Sequence, residues 1–356
     1  MATRFTALDH AMMRRALDLA ERGLFTTTPN PRVGCVIAQG QEVVGAGWHE
    51  KAGGPHAEAA ALAKAGERAA GATVYVTLEP CNHQGRTPPC VEALKAAKVA
   101  RVVAAMRDPN PVAGRGGHAL ASAGVRFESG LMEDEARELN IGFVSRMTRG
   151  RPWVRLKIAA TLDGRTALEN GSSQWITGLE ARRDGHRWRA RACAVLTGAG
   201  TVAADDPRLT VREVETPRQP LRVVVDSKLE TPRNARILEG EKVLIFSATH
   251  GTFPNAEVFP LPNRNSKVDL PLMLQELAKR GINELHVEAG SRLNASLVRE
   301  GCADEFLLYL NPSFLGDAAQ GMLELPSLAS LDERVRLDLI SLERVGEDIR
   351  ILARPA

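Results

Sequence analysis

The apolar positions of the first half change repeatedly between helical and strand-like spacing. The first helix is predicted by apolar residues at a helical period, which are Phe5, Leu8, Met12, Ala16 and Leu19. Strands are predicted for RVGCVIAQ, QEVVGAGW, ATVYVTLEP and RVVAAM. Helices are predicted for PHAEAAALAKAGERAAG, PPCVEALKAAKVA, ALASAG and LMEDEARELNIGFVSRM. This alternation of strands and helices is typical of an α/β layered domain.

The second half shows the same alternation with longer apolar runs. Strands are predicted for WVRLKIAA, CAVLTGAG, PLRVVVDS, EKVLIFSA, ELHVEAG, FLLYLNP, LDLISLERV and DIRILARP. Helices are predicted for LEARRDGHRWRARA, LMLQELAKRG and RLNASLVREG. Between the halves lies RMTRGRP, a basic segment with Gly and Pro at 146–152. It predicts a boundary between a domain of residues 1–147 and a domain of residues 148–356.

Composition excludes several classes of protein. A chain of 356 residues is long for one core, so two domains are expected. No apolar run approaches the length of a membrane span, and the first helix carries scattered charges unlike a secretory signal, so we expect a cytoplasmic protein without a membrane partner. The aromatic fraction of 4% offers few platforms for base stacking, which disfavours nucleic acid as the partner.

The loop TLEPCNHQGRTPPC, residues 77–90, holds two of the five cysteines. A disulfide, a metal site and two unengaged thiols all fit the loop alone, but five widely spread cysteines disfavour a disulfide framework. Upstream, His56 lies in the first turn of a predicted helix, Cys81 follows a strand and Cys90 opens a helix. One imidazole and two thiolates are the ligands of a zinc site whose fourth position stays open for water. His56, Cys81 and Cys90 are therefore the predicted ligands of Zn²⁺.

Glu58 lies two residues after His56 and completes a catalytic interpretation. Zinc lowers the pKa of its bound water, and Glu58 is placed to carry the water proton to a ring nitrogen and a leaving amine. The competing interpretation is a closed structural site with His83 or His49 as a fourth ligand. The order H-x-E and then P-C is the signature of zinc-dependent base deaminases, although eight residues rather than two separate these cysteines.

The motifs PCNHQGRTPPC, TTTPNPRVGC and DPNP resemble the deaminase half of a family of bifunctional riboflavin-biosynthesis enzymes. These are the diaminohydroxyphosphoribosylaminopyrimidine deaminase / 5-amino-6-(5-phosphoribosylamino)uracil reductases. The resemblance implies a cytidine-deaminase-like three-layer domain. It also implies four substrate contacts, which are Asn30, His49, His83 and Arg86. A turn-stabilising role is the alternative for Asn30 in PNPRVG.

Two glycine-rich turns in the second half suggest a nucleotide site. GAGTVA, residues 198–203, fits the Rossmann pattern after a strand, but Pro207 follows too soon for the helix that a Rossmann fingerprint needs. Such a turn can still bring backbone amides to a pyrophosphate. In VEAGSRLNASL, Gly290 and Ser291 precede a helix whose free amides suit a phosphate, although an ordinary strand-to-helix connection fits equally.

The motifs KIAATLDGRTA, SQWIT, TVAADDPRLTVR, VVVDS and VEAGSRLNASL resemble the reductase half of the same family, whose fold is similar to that of dihydrofolate reductase. The implied NADPH contacts are Ala159, Trp175, Thr201, Asp205, Ser227 and the phosphate loop Gly290, Ser291, Arg292, Leu293, Asn294, Ala295 and Ser296. The implied substrate contacts are Ser173, Arg189, Leu209, Arg212 and Glu288.

Several of these positions also make physical sense. Arg189 and Arg212 offer fork-shaped partners for a ribose 5-phosphate, and Glu288 at the end of a strand is placed to hold sugar hydroxyls. Core packing is the alternative for Trp175. Asp205 is a candidate acid for the sugar oxygen or only a cofactor contact, and Lys228 is a candidate partner of the NADPH 2′-phosphate.

The resemblance implies two consecutive reactions by a homo-oligomer that uses Zn²⁺ and NADPH. The first is hydrolytic deamination of 2,5-diamino-6-(ribosylamino)-4(3H)-pyrimidinone 5′-phosphate. The second is reduction of the ribosyl side chain to ribityl, which gives 5-amino-6-(5-phosphoribitylamino)uracil. One rival is a nucleoside or nucleic-acid deaminase with an accessory domain, which the long cysteine spacer disfavours. The other is a sensor with a closed zinc site, which has no need for Glu58.

Overall fold

The computed structural model describes residues 5–84 and 88–356, and the chain divides into two compact units, Met1–Arg149 and Gly150–Ala356. The helices of the first unit are α1 (Ala7–Glu21), α2 (Ala57–Ala65), α3 (Cys90–Ala96), α4 (Gly116–Ser122), α5 (Glu133–Leu139) and α6 (Ile141–Arg149). Its strands are β1 (Gly34–Gln39), β2 (Glu42–Trp48), β3 (Thr73–Leu78), β4 (Arg101–Met106) and β5 (Arg126–Ser129).

The five strands form one sheet in the order β2-β1-β3-β4-β5, in which β3, β4 and β5 are parallel and β1 is antiparallel to both neighbours. Helices cover both faces. A Cβ on Gly34 would lie 1.9 Å from the carbonyl oxygen of Ala16, so α1 packs closely on that face. Gly47, which pairs with Cys35 and therefore faces the other way, closely approaches Ala61 of α2. The first unit thus has the three layers that the sequence predicted.

The helix α1 is fixed to the sheet through Asp9, which is 2% exposed. Thr6 and Asp9 form a capping box, in which Thr6 Oγ1 accepts from the Asp9 amide at 3.1 Å and the Asp9 carboxylate accepts from the Thr6 amide at 2.8 Å. The carboxylate also accepts from the Tyr75 hydroxyl at 2.8 Å and from Arg101 Nη1 at 2.6 Å. Since these partners lie on β3 and β4, one carboxylate ties the helix start to two central strands.

The helices of the second unit are α7 (Leu179–Arg191), α8 (Ala199–Asp205), α9 (Leu270–Lys279) and α10 (Ser291–Arg299). Its strands are β6 (Trp153–Thr161), β7 (Arg165–Ala167), β8 (Ala194–Gly198), β9 (Leu221–Val225), β10 (Val243–Ser247), β11 (Ala256–Pro260), β12 (Glu284–Val287), β13 (Glu305–Asn311), β14 (Gln320–Gly321), β15 (Leu337–Val345) and β16 (Asp348–Pro355).

Nine of these strands form a sheet in the order β11-β10-β9-β8-β12-β6-β13-β16-β15, and β7 pairs with β14. The seven strands from β11 to β13 are mutually parallel, and β16 runs antiparallel to its two neighbours. The carboxyl ends of the parallel strands therefore meet at one edge, where α/β sheets bind their ligands. Among the described residues, no helix has both the length and the apolar character that crossing a membrane requires.

The structure differs from the sequence prediction in a few elements. The single helix predicted for residues 131–147 is two helices that meet at Asn140, and α6 continues to Arg149 through part of the predicted linker. The short strands β5, β7, β11 and β14 were not predicted. The helix after GAG is only seven residues long and ends where Asp206 adopts φ 40, directly before Pro207. This agrees with the sequence argument against a Rossmann fingerprint.

Candidate active sites

The three predicted zinc ligands lie together in the first unit. His56 is the N-cap of α2, Cys81 follows β3 and Cys90 is the first residue of α3. Their ligand atoms all lie within 4.8 Å of one another, and His56 Nδ1 is 3.2 Å from Cys90 Sγ and 3.5 Å from Cys81 Sγ. Among the described residues, the cluster contains no fourth ligating side chain. This donor set fits tetrahedral zinc with one position open.

The pKa values of the two cysteines move in opposite directions. The hydrogen bond with the Cys90 thiol, supported by His56, lowers the pKa of Cys81 to about 4. The same hydrogen bond, together with burial, raises the pKa of Cys90. Cys81 is therefore the thiolate of the pair, and a cation that binds both sulfurs displaces the proton of Cys90.

A cavity of about 530 Å³ borders the cluster. Its lining includes the predicted residues Asn30, His49, His56, Glu58, Cys81 and His83. Glu58 lies in the first turn of α2 and is 4% exposed, and burial raises the pKa of its carboxyl group. A carboxyl group with a raised pKa next to a metal site can both take up and release a proton.

The Pro55 carbonyl, His49 and Asn30 form a chain of hydrogen bonds at the cavity, which we call the relay. His49 Nδ1 lies 2.9 Å from the Pro55 carbonyl oxygen, which can only accept, so this nitrogen carries the proton. Burial lowers the pKa of His49, which keeps the ring neutral. His49 Nε2 must then accept from Asn30 Nδ2, 3.0 Å away. The relay leaves the amide oxygen of Asn30 as an acceptor. Arg86, the fourth predicted contact, lies outside the described residues.

Asp108 and Asn110 also line the cavity, although no role was predicted for them. Burial raises the pKa of Asp108 to about 6, and its carboxylate accepts from the Asn110 amide at 2.9 Å. Glu79 holds this loop, because its carboxylate accepts from the Asp108 amide at 3.2 Å and from the Gly117 amide at 2.7 Å. The available signal was the position of DPNP directly after a strand, where α/β domains place their functional loops.

In the second unit, Glu288 follows β12 and binds Arg189 of α7 through two hydrogen bonds, one of them from Arg189 Nη2 at 2.8 Å. Lys157 Nζ of β6 is 3.9 Å from the same carboxylate. Burial acts to raise the pKa of Glu288, but the charge and hydrogen bonds of Arg189 outweigh it and hold the pKa well below its usual value. Burial lowers the pKa of Lys157, which the sequence analysis did not assign.

The two glycine-rich turns are neighbours at the same edge. The Gly290 amide donates to Thr201 Oγ1 at 3.1 Å, and Leu293 packs against Gly198. Gly290 is the N-cap of α10 and has no side chain to occupy the first-turn amides. Ala159 lies in the last third of β6 and Ser227 follows β9, so these predicted cofactor contacts lie towards the carboxyl ends of strands of the same parallel set.

The remaining predicted residues occupy more varied positions. Trp175 is 70% exposed, so the core-packing alternative is wrong. Leu209 buries its side chain in the core, whereas Asp205 is exposed and Ser173 is half-buried. Lys228 is exposed beside Glu230. In the phosphate loop, Arg292 pairs with Glu324, Asn294 Nδ2 donates to the Ala289 carbonyl, Ala295 is buried and Ser296 Oγ donates to the Arg292 carbonyl.

The loop that carries Arg212 is anchored from three sides. Arg189 Nη1 donates to the Thr210 carbonyl at 3.2 Å, and His186 Nδ1 accepts from the Arg212 amide at 3.2 Å. The Gln219 carboxamide accepts from the Val211 amide at 2.8 Å and donates to its carbonyl at 3.2 Å. The guanidinium of Arg212 is exposed and is anchored to Thr210.

Comparisons with known proteins cover both units. The chain matches a model of the cytidine and deoxycytidylate deaminase zinc-binding region over residues 6–106 and a model of the RibD C-terminal domain over residues 152–351. The riboflavin biosynthesis protein RibD of Escherichia coli (strain K12) is 46% identical over 96% of this chain and 98% of its own length.

Solved structures agree along the whole chain. Acinetobacter baumannii RibD (form 1) superposes with a TM-score of 0.92 and 43% identity over 98% of this chain and 99% of its own. The Thermotoga maritima diaminohydroxyphosphoribosylaminopyrimidine deaminase / 5-amino-6-(5-phosphoribosylamino)uracil reductase superposes with a TM-score of 0.90 and 32% identity over the same shares. These matches confirm the predicted cytidine-deaminase-like and dihydrofolate-reductase-like folds. The chain belongs to the RibD family of bifunctional riboflavin biosynthesis enzymes, which join a zinc-dependent deaminase domain to an NADPH-dependent reductase domain.

Proposed function

We propose that this chain catalyses both implied steps: deamination of 2,5-diamino-6-(ribosylamino)-4(3H)-pyrimidinone 5′-phosphate, then reduction of its ribosyl side chain. We assign the first step to a domain of residues 1–147 and the second to a domain of residues 148–356. The observation that carries the proposal is Glu58, a buried carboxyl group beside the His56–Cys81–Cys90 cluster at the edge of a cavity large enough for a pyrimidine.

In the deaminase domain, zinc held by His56, Cys81 and Cys90 supplies the Lewis acid that activates a water molecule. Glu58 takes one proton from the attacking water and transfers it to the adjacent ring nitrogen, then takes the remaining proton from the new hydroxyl group and transfers it to the leaving amine. A carbon–oxygen bond forms and a carbon–nitrogen bond breaks, so the products are a carbonyl group and ammonia. The raised pKa of Glu58 favours the return of the proton.

The relay through His49 determines what the pyrimidine must present to Asn30. Because Asn30 Nδ2 donates to His49, its oxygen is the atom that remains to accept from the substrate. An N–H group of the diaminopyrimidinone satisfies this acceptor. His83 also borders the cavity. We propose that His83 and Arg86 bind the polar part of the same substrate.

In the reductase domain, NADPH supplies the hydride for the sugar carbon. We propose that the amides after Gly290 hold a cofactor phosphate, while Ala159, Thr201 and Ser227 border the rest of the cofactor. Glu288, fixed by Arg189, accepts from the sugar hydroxyls, and Arg212 binds the 5′-phosphate.

The acid for the sugar oxygen is the remaining requirement of the reduction. Lys157 lies beside Glu288, and burial lowers its pKa, so it releases a proton more readily than an exposed lysine does. We propose Lys157 for this role in preference to Asp205, which is exposed at the end of α8.

The family acts on a small molecule, and we further propose a cytoplasmic homo-oligomer. The edge strand β15 exposes four large apolar residues, which are Leu337, Leu339, Ile340 and Leu342. An open sheet edge with apolar side chains favours pairing with another chain. Sedimentation equilibrium of the purified chain tests this, and a monomer at all concentrations contradicts it.

Mass spectrometry of products from the zinc-loaded chain tests the two activities. Without NADPH, we expect only the deaminated pyrimidine, and with NADPH its ribityl product. Glu58→Gln should keep zinc and abolish deamination, while it still reduces a substrate that is already deaminated. Deamination of cytidine or tRNA in place of the pyrimidine phosphate would favour the rival deaminase. Unchanged substrate with zinc-loaded protein would refute the assignment.

A further inference from the structure

We propose that Asn140 is a positioning residue for deamination, because its carboxamide fixes the segment 29–33 and thereby holds Asn30 against His49. The inference rests on the deaminase function proposed above. Asn140 lies at the junction of α5 and α6 and does not itself line the cavity. It acts on the reaction through the backbone of Arg32.

The contact between Asn140 and Arg32 uses both ends of the carboxamide. The Arg32 amide donates to Asn140 Oδ1 at 2.7 Å, and Asn140 Nδ2 donates to the Arg32 carbonyl at 2.9 Å. Asn140 is 1% exposed. The carboxamide therefore pairs with both backbone polar groups of Arg32, as a neighbouring strand would, in the segment that leads into β1.

The junction between the two helices is shaped around this contact. Asn140 has φ −110 and ψ 21, and the helix resumes at Ile141. Arg32 Nη1 also donates to the Leu139 carbonyl at 2.7 Å. Beyond the junction, α6 lines the cavity with Phe143 and Met147. The loop and the helix junction are thus fastened together beside the cavity.

The contact between Asn140 and Arg32 lies between the two points at which the segment 29–33 binds His49. Asn30 is two residues before Arg32, and the carbonyl of Val33, one residue after it, accepts from the His49 amide at 2.8 Å. Asn30 and His49 are joined at 3.0 Å. A displacement of about 1 Å in this segment breaks that hydrogen bond and misplaces the acceptor, which costs up to about 100-fold in kcat/KM. Because this acceptor binds the substrate and the transition state alike, the loss should appear in KM.

The test uses the full zinc-loaded chain and measures ammonia release at varied pyrimidine concentration. Asn140→Ala should raise KM for deamination by about 10- to 100-fold and leave kcat within about threefold. Reduction of the deaminated intermediate by the same preparation should not change, because it occurs in the other unit. Zinc content should equal that of the wild type. A loss of activity in folded protein that follows a loss of zinc overturns the proposal.

A double-mutant cycle separates positioning from general stabilisation. If Asn140 acts through Asn30, then Asn140→Ala in an Asn30→Ala background should change kcat/KM by less than about twofold. Full additivity of the two losses overturns the proposal. Should Asn140→Ala fail to fold, Asn140→Asp decides, since it keeps the acceptor for the Arg32 amide and the shape but cannot donate to the Arg32 carbonyl. It should show the same rise in KM.

Gln39→Ala is the matched control. The Gln39 carboxamide also fastens backbone in this unit, with hydrogen bonds to the carbonyls of Arg68 at 3.1 Å and Ala70 at 2.7 Å, but it does not line the cavity. It should leave KM unchanged, and an equal rise in KM for this variant overturns the proposal. A wild type without deaminase activity defeats the proposed function itself, whereas an active wild type with unaffected Asn140 variants defeats only this inference.

Discussion

Replacing Asp9 by Asn should strongly destabilise the first unit. The carboxylate is 2% exposed and accepts from Thr6, from Tyr75 of β3 and from Arg101 of β4. An asparagine has one acceptor oxygen instead of two and no charge. In either orientation its amide nitrogen would face the Thr6 amide or the Arg101 guanidinium, which can only donate, so at least one of these hydrogen bonds becomes a repulsive contact.

The size of the loss in unfolding free energy depends on which partners Arg101 retains in the variant. Removing one member of a buried ion pair costs about 3–5 kcal/mol, chiefly because the other charge is left without a partner. Arg101 still binds Glu128 at 2.7 Å and is partly exposed, so its charge keeps a partner and some contact with solvent. We therefore expect the low end, about 3 kcal/mol of unfolding free energy.

The sign of the pH dependence gives a second test. Burial acts to raise the pKa of Asp9, but the hydrogen bonds from Arg101, Thr6 and Tyr75 outweigh it and lower the pKa far below its usual value. A depressed folded-state pKa adds stability above the unfolded pKa of about 3.9, and this stability disappears as the pH falls through the folded value. The difference between wild type and variant should be constant from pH 5 to 8 and shrink below about pH 4.

The assay is urea unfolding, followed by hydrogen exchange of peptides from α1 and β3 so that only the first unit is reported. Glu92→Gln is the control, because its ion pair with Lys95 at 3.0 Å is exposed and should contribute less than about 1 kcal/mol. A loss below about 1 kcal/mol for Asp9→Asn at pH 7, or a difference that persists undiminished at pH 3, would refute the reasoning.

Three further predictions concern the active sites. Removal of zinc by a chelator should abolish deamination but leave NADPH-dependent reduction of the deaminated substrate intact, as product analysis of both reactions will show. Arg212→Gln should raise KM for the phosphorylated substrate about 10- to 100-fold, with no such change for a dephosphorylated analogue or NADPH. Gly116→Ala should weaken zinc binding about 10- to 100-fold, measured by competition with a chromophoric chelator, because its Cβ would lie 1.8 Å from the Pro80 carbonyl oxygen, next to Cys81.

The zinc site could be predicted from the sequence because its parts are local. His56 and Glu58 share the first turn of one helix, and Cys81 and Cys90 flank one loop, so their positions depend on where α2, β3 and α3 begin and end. No role was predicted for Asp108, because its place at the site depends on a contact between distant parts of the chain. It follows β4, and only the pairing of β4 with β3 brings that loop beside Cys81.

The interruption of the predicted helix at Asn140 also depends on a contact between distant parts of the chain. The apolar period of residues 131–147 fits one helix, and nothing within that segment interrupts it. The interruption comes from Arg32, 108 residues earlier in the chain, whose backbone binds the Asn140 side chain. The missed strands β5 and β11 have only four and five residues, and β11 lies at the sheet edge, where a half-buried strand lacks a clear alternation.

The buried Glu58 and the half-buried Glu288 show why the sequence alone could not assign their charge states. Glu58 and Glu288 both lie near the junction of a strand or loop with a helix, yet their pKa values move in opposite directions. Burial raises that of Glu58, whereas Arg189 outweighs burial and lowers that of Glu288. A carboxyl group with a raised pKa suits proton transfer, while a carboxylate with a lowered pKa stays charged and suits the binding of hydroxyl groups. The same residue type therefore serves two kinds of chemistry, and the neighbouring cations decide which one.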